Sequence, residues 1–322
     1  MIDGVRVAMT VSIGAALLTE RDATFAVVLR RAGAALSAAK EAGQGALEIF
    51  DHDHEANDVS RLALVAELRE ALVEGQLLVY YQPLVDLSTR TVRGVESLIR
   101  WQHPKHGLLT ADAFIRQAER SGLTKAIRRF VLEATALKWR EWKSRGIDLE
   151  LAVNLGAIDM LDISLPDEIE DLLERHGIQP WNLVLEITER TLIGDEWRTA
   201  QVIDRLDQIG VRLAIDDFGT GYSSLASLLR FPVHQVKLDQ SLLAGVPGDK
   251  AAEAIVTGSV EIAHAVGATV VAEGIETQEQ WNFVNRIGCD IAQGYLLGRP
   301  GPGDELETLL ATAPSVTSQL AA

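Results

Sequence analysis

Two kinds of apolar pattern alternate along most of this chain. Short runs of mostly apolar residues predict buried strands at residues 77–87, 92–101, 149–155, 183–188, 212–216, 235–238, 269–272 and 291–296. Between them, apolar residues recur at spacings of three and four, which predicts amphipathic helices that include residues 124–144, 166–176, 196–209, 248–267 and 277–287. The nearly continuous apolar character of several strands is typical of parallel strands covered on both faces.

This alternation begins near residue 62 and continues to about residue 310. About eight strand–helix units over roughly 250 residues favour an α/β fold, namely a (β/α)8 barrel of the TIM type. An open, doubly wound sheet is the alternative, and it ranks second because no glycine-rich dinucleotide-binding motif follows the first strand. We therefore assign a barrel to residues 62–312 and a flexible tail to residues 313–322.

A smaller pattern precedes the barrel. Residues 9–15 alternate as a strand does, residues 25–39 carry apolar positions at helical spacing up to a stop near Gly43, and residues 46–50 read as a second strand. About 50 residues are too few to bury a convincing core, so this piece docks on something or is the end of a larger domain. The Asp-His-Asp-His-Glu run that follows could suggest a metal site, but we interpret residues 53–61 as a solvated linker.

Charge and cysteine content narrow the possible functions. The chain has 322 residues, with 30 Lys+Arg against 46 Asp+Glu, and a formal net charge of −16. Sequence-independent binding to DNA or RNA needs clustered basic residues, so we expect neither nucleic acid as a partner. The single cysteine, Cys289, excludes an intrachain disulfide framework and a cysteine-based zinc site. No apolar run approaches the length of a membrane span, so we expect a soluble, cytoplasmic protein with no membrane segment.

Polar side chains stand within or at the ends of nearly all the predicted barrel strands. They are Glu96, Asn154, Glu186, Glu189, Asp216, Asp217, Lys237, Glu273 and Gln293. In a barrel these groups would converge on the rim formed by the C-terminal strand ends, where barrel enzymes place their active sites. A single acidic residue at a strand end is usually a helix cap or a solvated loop residue. The whole set is harder to explain in that way, because carboxylates next to apolar runs are costly unless something positive pairs with them.

One lysine, Lys237, cannot neutralise so many carboxylates, but divalent cations can. An oxygen-only ligand set of this kind suits Mg²⁺ or Mn²⁺ better than zinc. Neighbours on a regular strand point to opposite faces, so Asp216 and Asp217 can reach one site only where the strand turns into its loop. The glycine-containing segment 218–224 provides such a loop. The pattern is consistent with two metal ions that activate water and stabilise the leaving oxygen in phosphodiester hydrolysis.

Read in order, these segments resemble the EAL-domain family of bacterial cyclic di-GMP phosphodiesterases, over about residues 62–312. The matching stretches are Tyr81-Gln82-Pro83, Glu96-Ser97-Leu98-Ile99-Arg100-Trp101, His103-Pro104, Val153-Asn154-Leu155, Glu186-Ile187-Thr188-Glu189, Asp216-Asp217-Phe218-Gly219-Thr220-Gly221-Tyr222-Ser223-Ser224, Lys237-Leu238-Asp239, Ala272-Glu273-Gly274-Ile275-Glu276-Thr277 and Gln293-Gly294-Tyr295. This many matches in the right order make a specific signal.

The resemblance implies a (β/α)8-type barrel with one antiparallel strand that hydrolyses cyclic di-GMP to linear pGpG with Mg²⁺ or Mn²⁺. It implies the metal ligands Glu96, Asn154, Glu186, Asp216 and Asp217. Lys237 would contact the attacking water or a metal-bound oxygen, and Glu189 would support the loop at 218–224. Glu273 would be the candidate general base, with activation of the water by the metal alone as the alternative. The implied substrate contacts and rim positions are Gln82, Leu98, Arg100, Asp239, Glu276 and Gln293. A homodimer formed through the barrel is a further expectation of the resemblance.

The departures from the family pattern leave the implied catalytic set intact. The signature Glu-Ala-Leu is Glu-Ser-Leu here, the usual Asn-Leu-Ser is Asn154-Leu155-Gly156, and Phe-Ile-Pro is Phe114-Ile115-Arg116. Degenerate members of the family bind cyclic di-GMP without cleaving it, so a receptor is the alternative function. An unrelated Mg²⁺-dependent barrel of lyase or enolase type fits the acidic rim but not the ordered motifs.

Residues 4–52 resemble the C-terminal end of a GGDEF (diguanylate cyclase) domain, and we assign residues 1–52 to this unit. The resemblance rests on Thr10-Val11-Ser12-Ile13-Gly14, Leu29-Arg30-Arg31-Ala32 and Ala38-Ala39-Lys40. The half that carries the nucleotide-binding loop and the signature is absent from this chain, and Gly33 and Ser37 stand where Asp and Tyr are usual. The resemblance therefore implies an inactive remnant without cyclase activity.

Overall fold

The computed structural model describes residues 11–16, 25–41, 47–49, 64–193, 196–219 and 225–312. The chain divides into two compact units, Met1–Glu70 and Ala71–Ala322. The predicted linker at 53–61 and the predicted tail at 313–322 lie outside the described residues. No helix among the described residues is both long enough and apolar enough to cross a membrane.

The first unit contains the strand–helix–strand pattern seen in the sequence. It consists of β1 (Ile13–Ala15), α1 (Phe25–Glu41) and β2 (Leu47–Ile49), and the two strands pair in parallel. Gly14 is required where β1 meets α1, because a Cβ at this position would collide with the backbone of Leu36. The predicted first strand also included residues 9 and 10, which lie outside the described residues.

The second unit contains the barrel, whose strands form one closed sheet with a short extra strand. The strands are β3 (Leu77–Asp86), β4 (Val92–His103), β5 (Gly107–Thr110), β6 (Glu150–Leu155), β7 (Leu183–Thr188), β8 (Arg212–Phe218), β9 (Gln235–Leu238), β10 (Thr269–Ala272) and β11 (Ile291–Ala292). The closed order is β3-β11-β10-β9-β8-β7-β6-β4, with β4 returning to β3. Strand β3 runs antiparallel to both of its neighbours, and the other neighbouring barrel strands pair in parallel. The prediction of an eight-stranded barrel with one antiparallel strand is confirmed.

Helices follow most of the parallel strands. Helix α2 (residues 64–74) precedes β3, and the helices after it are α3 (Ile115–Arg120), α4 (Thr124–Ser144), α5 (Leu165–His176), α6 (Glu196–Ile209), α7 (Leu225–Arg230), α8 (Gln240–Leu243), α9 (Lys250–Ala265), α10 (Gln278–Arg286) and α11 (Gly303–Thr312). Local signals set several of their ends. Helix α5 has Pro166 in its first turn and ends at Gly177, whose φ of 68° suits glycine. Helix α10 begins with a capping box formed by Thr277 and Gln280.

Three predicted strands end at least two residues away from the observed ones, and the first of them, predicted at 92–101, continues to His103. The strand predicted at 291–296 ends at Ala292, because the chain turns at Gly294, where a Cβ would collide with the backbone of Ile275. The strand predicted at 212–216 continues to Phe218 through an irregularity described below. Strand β5, which forms a hairpin with β4, was not predicted.

Candidate active site

A polar layer lies inside the barrel directly above an apolar one. The apolar layer is a buried cluster contributed by six strands, Leu84, Ala152, Val184, Ala214, Val271 and Ile291. Because side chains of a strand alternate between its two faces, the residue two positions further on points to the same interior. Each member therefore has a polar partner two residues away toward the rim, and the pairs are Ala152 and Asn154, Val184 and Glu186, Ala214 and Asp216, Val271 and Glu273, Ile291 and Gln293, and, on the antiparallel strand, Leu84 and Gln82.

Lys237 of β9 stands at the centre of the polar layer. Its side chain is 1% exposed, and its Nζ lies 2.7 Å from Glu273 Oε1 and 2.8 Å from Glu186 Oε2. The same nitrogen lies 3.4 Å from Glu96 Oε2 and 3.5 Å from Asp216 Oδ1. One ammonium group thus faces four carboxylates in the barrel interior, as the positions of these residues along their strands predicted.

Glu96 of β4 is held by amide groups on both of its oxygens. Asn154 Nδ2 donates to Glu96 Oε1 at 2.6 Å, and Gln293 Nε2 donates to Glu96 Oε2 at 2.7 Å. Gln293 Nε2 also donates to Gln82 Oε1 at 3.0 Å, and Gln82 in turn donates to the carbonyl of Gly298. The carbonyl oxygen Oε1 of Gln293 is buried and has no hydrogen-bond partner. Gln82 and Gln293 therefore orient Glu96 as well as facing the cavity.

The pKa values of the layer reflect burial together with an excess of negative charge. Burial tends to raise the pKa of Glu96, but Lys237 and the two amide donors hold the pKa below its usual range. Burial raises the pKa of Glu186 well above its usual range; Lys237 opposes this shift, and the charges of Glu96 and Asp216 add to it. Burial, partly opposed by Lys237, raises the pKa of Glu273 to about 7. The single positive charge of Lys237 therefore does not neutralise the carboxylates of the polar layer.

A β-bulge brings Asp216 and Asp217 to the same region. On β8, Ile215 pairs with Val236 and Phe218 pairs with Leu238, so both aspartates stand opposite Lys237. Asp217 has a φ of 55°, which is uncommon for a residue other than glycine and turns the chain locally. The sequence predicted that the pair would be adjacent in the site because the strand ends there. That reason is wrong, because the strand continues and the bulge supplies the change of direction.

The layer opens into a cavity of about 500 Å³ at the C-terminal ends of the parallel strands. The other predicted site residues that line the cavity are Leu98, Arg100, Asp239 and Glu276. Arg100 is half-buried, with its guanidinium carbon 5.7 Å from the centroid of the Tyr80 ring and Nη1 donating to the carbonyl of Ile99. Asp239 also caps α8, since its Oδ1 accepts a hydrogen bond from the N–H of Ser241.

Of the predicted site residues, Glu189 is the one that neither lines this cavity nor belongs to the polar layer. It is buried at the beginning of a short 3₁₀ turn that follows β7. Most of the loop that it was predicted to support, residues 220–224, lies outside the described residues. The supporting role of Glu189 therefore stays a prediction.

The donor chemistry of the layer fits divalent cations. Glu96, Glu186, Asp216 and Asp217 supply carboxylate oxygens, and Asn154 adds an amide oxygen while its nitrogen donates to Glu96. A different acidic group, Glu141, Asp304 and Glu307, has its oxygens closer together, but Lys138 and Arg145 form ion pairs with it. That second group links α4 to α11, and we assign it no metal.

Comparison with known proteins identifies the family. The sequence model of the EAL domain matches residues 65–300. The chain belongs to the EAL domain family. The match covers the barrel and begins close to the boundary at 62 that the sequence pattern predicts. It does not include the first unit, so the interpretation of residues 1–52 as a GGDEF remnant stays a prediction.

Relatives of this EAL domain occur in longer proteins. The bifunctional diguanylate cyclase/cyclic di-GMP phosphodiesterase MucR of Pseudomonas aeruginosa is 38% identical over 301 residues, which cover 93% of this chain and 44% of MucR. The cyclic di-GMP phosphodiesterase PdeR of Escherichia coli is 33% identical over 296 residues, covering 92% of this chain and 45% of PdeR. A solved structure of the PaMucR phosphodiesterase in complex with c-di-GMP is similar at a TM-score of 0.72 and 40% identity, over 76% of this chain and 99% of that one. The chain spans less than half the length of the two curated relatives.

Sequence reasoning missed one wall of the cavity in this EAL domain. Thr110 at the end of β5 and Asp112 just after it line the cavity, and so does Tyr295 beyond Gly294. Tyr295 was within a recognised motif, but no role was assigned to it. The sequence around Asp112 does not predict that this residue lines the cavity, because its place there depends on the hairpin that β5 forms with β4.

Proposed function

We propose that this chain hydrolyses cyclic di-GMP to linear pGpG in a reaction that depends on Mg²⁺ or Mn²⁺. The observation that carries the proposal is the buried layer in which Lys237 faces the carboxylates of Glu96, Glu186, Asp216 and Glu273. Support also comes from the names of the relatives and from the cyclic di-GMP complex of the PaMucR phosphodiesterase. A cavity of about 500 Å³ above the layer leaves room for a nucleotide.

Five residues of the layer are the proposed metal ligands, Glu96, Asn154, Glu186, Asp216 and Asp217. Two divalent cations, when bound, would neutralise the layer and supply the Lewis acidity that phosphodiester cleavage needs. The carboxylate of Glu273 stands 2.7 Å from Lys237 at the edge of the cavity, so we propose that it accepts the proton of the attacking water. The ammonium group of Lys237 keeps Glu273 and Glu186 in place and contacts that water.

The substrate contacts are proposed on the cavity wall. Arg100 presents a guanidinium that suits a phosphate oxygen, and Leu98 supplies an apolar surface beside it. Gln82, Gln293, Asp239 and Glu276 also line the cavity and would contact the remainder of the dinucleotide. The buried, unpartnered Oε1 of Gln293 is an acceptor that a substrate N–H or O–H could use.

Incubation of the purified chain with cyclic di-GMP tests the proposal. With Mn²⁺ or Mg²⁺ we expect conversion to pGpG, followed by chromatography, and complete loss of conversion when EDTA removes the metal. Restoring the metal in excess of EDTA should restore the rate. Tight binding of cyclic di-GMP without turnover, over a range of metals and pH values, would instead establish a receptor and contradict the proposal.

We also propose that two copies of the chain associate through the barrel. An apolar patch supports this proposal, formed by Ile158, Leu161 and Ile163 after β6 and by Trp197 of α6, with exposures of 50%, 37%, 69% and 67%. The segment Asp159–Leu161 packs beside α6. Clusters of exposed apolar side chains are characteristic of protein interfaces.

Replacement of Trp197 by Glu is expected to convert the dimer into a monomer, because it places a charge in the apolar patch. Sedimentation velocity or light scattering measures the change. Trp181, which is 54% exposed and outside the patch, provides the matched control, and Trp181→Glu should leave the dimer intact. A monomeric unsubstituted chain, or equal effects of the two substitutions, would refute an interface at this patch.

Residues 1–52 are proposed to be a GGDEF remnant without cyclase activity, followed by a linker at 53–61 and the EAL barrel at 62–312. The parallel strand–helix–strand unit of β1, α1 and β2 is compatible with the end of such a domain. Gly33 and Ser37 stand at the two altered positions. We further propose a cytoplasmic location, which is consistent with a chain that has one cysteine.

A further inference from the structure

Arg128 of α4 is a charged side chain buried in the wall beside the candidate active site. Its side chain is 2% exposed, although it lies on the helix face that also buries Ile127 and Val131. Together with Asp159 and Asn154 it lines a second cavity of about 360 Å³, which shares Glu96 and Asp216 with the metal site. A buried guanidinium is costly unless it is paired, so its partners indicate why it is there.

The guanidinium binds three carboxylates of the segment that connects β6 to α5 and of the first turn of α5. Nη1 donates to Asp159 Oδ1 at 2.7 Å, and Nη2 donates to Asp162 Oδ2 at 3.0 Å and to Glu168 Oε2 at 2.9 Å. The Arg128–Asp159 pair is the most buried of the three, with 2% and 5% of the side chains exposed. Arg128 therefore holds the connecting segment against α4.

Asp159 links Arg128 to the end of β6 through hydrogen bonds to Gly156. Its Oδ2 accepts a hydrogen bond from the N–H of Gly156 at 2.9 Å, and its own N–H donates to the carbonyl of Gly156 at 3.0 Å. Gly156 stands two residues after Asn154, whose amide nitrogen donates to Glu96. Both oxygens of the Asp159 carboxylate are thus used, one on Arg128 and one on the turn that follows Asn154.

We propose that Arg128 and Asp159 are positioning residues that orient the amide oxygen of Asn154 toward the metal. The inference rests on the proposed function, because it assumes that Asn154 is a metal ligand. Residues that support a metal ligand without binding the metal commonly lower metal affinity by about tenfold or more when they are removed. Asp162 also binds Arg128 but is 24% exposed and accepts hydrogen bonds from Ser164 rather than from Gly156, so it has a structural role in the same network.

The test compares Asp159→Asn with Asp162→Asn. Each substitution removes one ionic partner of Arg128, but only the first alters the carboxylate that holds Gly156. The affinity for Mn²⁺ alone is measured from the electron paramagnetic resonance of free Mn²⁺, and thermal unfolding of each variant is recorded without metal. We expect Asp159→Asn to weaken Mn²⁺ binding by about tenfold. Asp162→Asn should stay within about twofold of the unsubstituted chain, even if both variants lose some thermal stability.

Substitutions of Arg128 provide the second arm. Arg128→Met should weaken Mn²⁺ binding by about as much as Asp159→Asn, and Arg128→Lys should restore part of the affinity because it keeps the charge but not the two-pronged geometry. Arg129→Met is the control, since Arg129 binds Glu168 but is 61% exposed. The double variant Arg128→Met, Asp159→Asn should be no weaker than either single variant, because the two residues act through one contact.

Two results would overturn the inference. The first is equal Mn²⁺ affinity of Asp159→Asn and Asp162→Asn, and the second is an unsubstituted chain that does not bind Mn²⁺. Only the second result also removes the basis of the proposed function. A chain that binds Mn²⁺ but does not hydrolyse cyclic di-GMP would contradict the proposed function. The Mn²⁺ affinities of Asp159→Asn and Asp162→Asn would still test the inference in that case. Because Asp159→Asn keeps the size of the side chain, the comparison does not depend on whether Arg128→Met folds.

Discussion

Replacement of Glu96 by glutamine is expected to lower kcat for cyclic di-GMP hydrolysis by about 10³-fold or more, and Glu96→Ala should abolish turnover. Loss of a ligand charge removes several kcal/mol of stabilisation from the transition state, and each factor of ten in rate corresponds to about 1.4 kcal/mol. The surroundings of Glu96 make even the isosteric change severe. Asn154 and Gln293 each donate an N–H to one of its oxygens, so the new amide would place a donor against a donor.

The measurement is single-turnover hydrolysis at saturating Mn²⁺, with Mn²⁺ affinity measured separately. Glu150→Gln is a suitable control, because Glu150 stands at the beginning of β6, pairs with Arg93 and Arg212, and does not line the cavity. We expect Glu150→Gln to retain the kcat of the unsubstituted chain. If Glu96→Gln kept more than about a tenth of that kcat, Glu96 would not be a metal ligand.

The barrel and its polar layer were accessible to sequence reasoning for one physical reason. In a barrel built mostly of parallel strands, the C-terminal end of each parallel strand faces the same rim, so a polar residue near that end of each run predicts a shared site. Glu186 and Lys237, for example, come from different strands and lie 2.8 Å apart, as that argument requires. The ordered motifs then indicated the family, which the match to the EAL domain confirms.

The features that sequence reasoning missed depend on contacts between distant segments. Arg128 follows Ile127 on the buried face of α4, where a charged residue contradicts the helical pattern. Its carboxylate partners lie more than 30 residues away, in the β6–α5 connection and the first turn of α5. The bulge at Asp216 and Asp217 is fixed by the register of β8 against β9, which no local pattern reveals. Strand β5 has four residues, which is too short to show a period, and among the described strands it pairs with β4 alone.

Replacement of Lys237 by methionine is expected to remove hydrolysis and to lower the free energy of unfolding, measured without metal, by about 3–5 kcal/mol, which is typical when one partner of a buried ionic group is removed. Methionine fills a similar volume, so the effect comes from the lost charge. Without the ammonium group, the carboxylates of Glu186 and Glu273 would face each other and their neighbours with no counter-charge in a buried layer.

Divalent cations should offset part of this loss, because they would occupy the same acidic layer. Urea unfolding with and without Mn²⁺ measures the offset, and we expect Mn²⁺ to stabilise Lys237→Met more than it stabilises the unsubstituted chain. Lys250→Met, at the exposed first residue of α9, is the control and should change neither stability nor its dependence on Mn²⁺. Equal stability of Lys237→Met and the unsubstituted chain in the absence of metal would mean that the layer becomes neutral by taking up protons. In that case Lys237 would be needed only for the reaction, and the loss of hydrolysis would persist without any loss of stability.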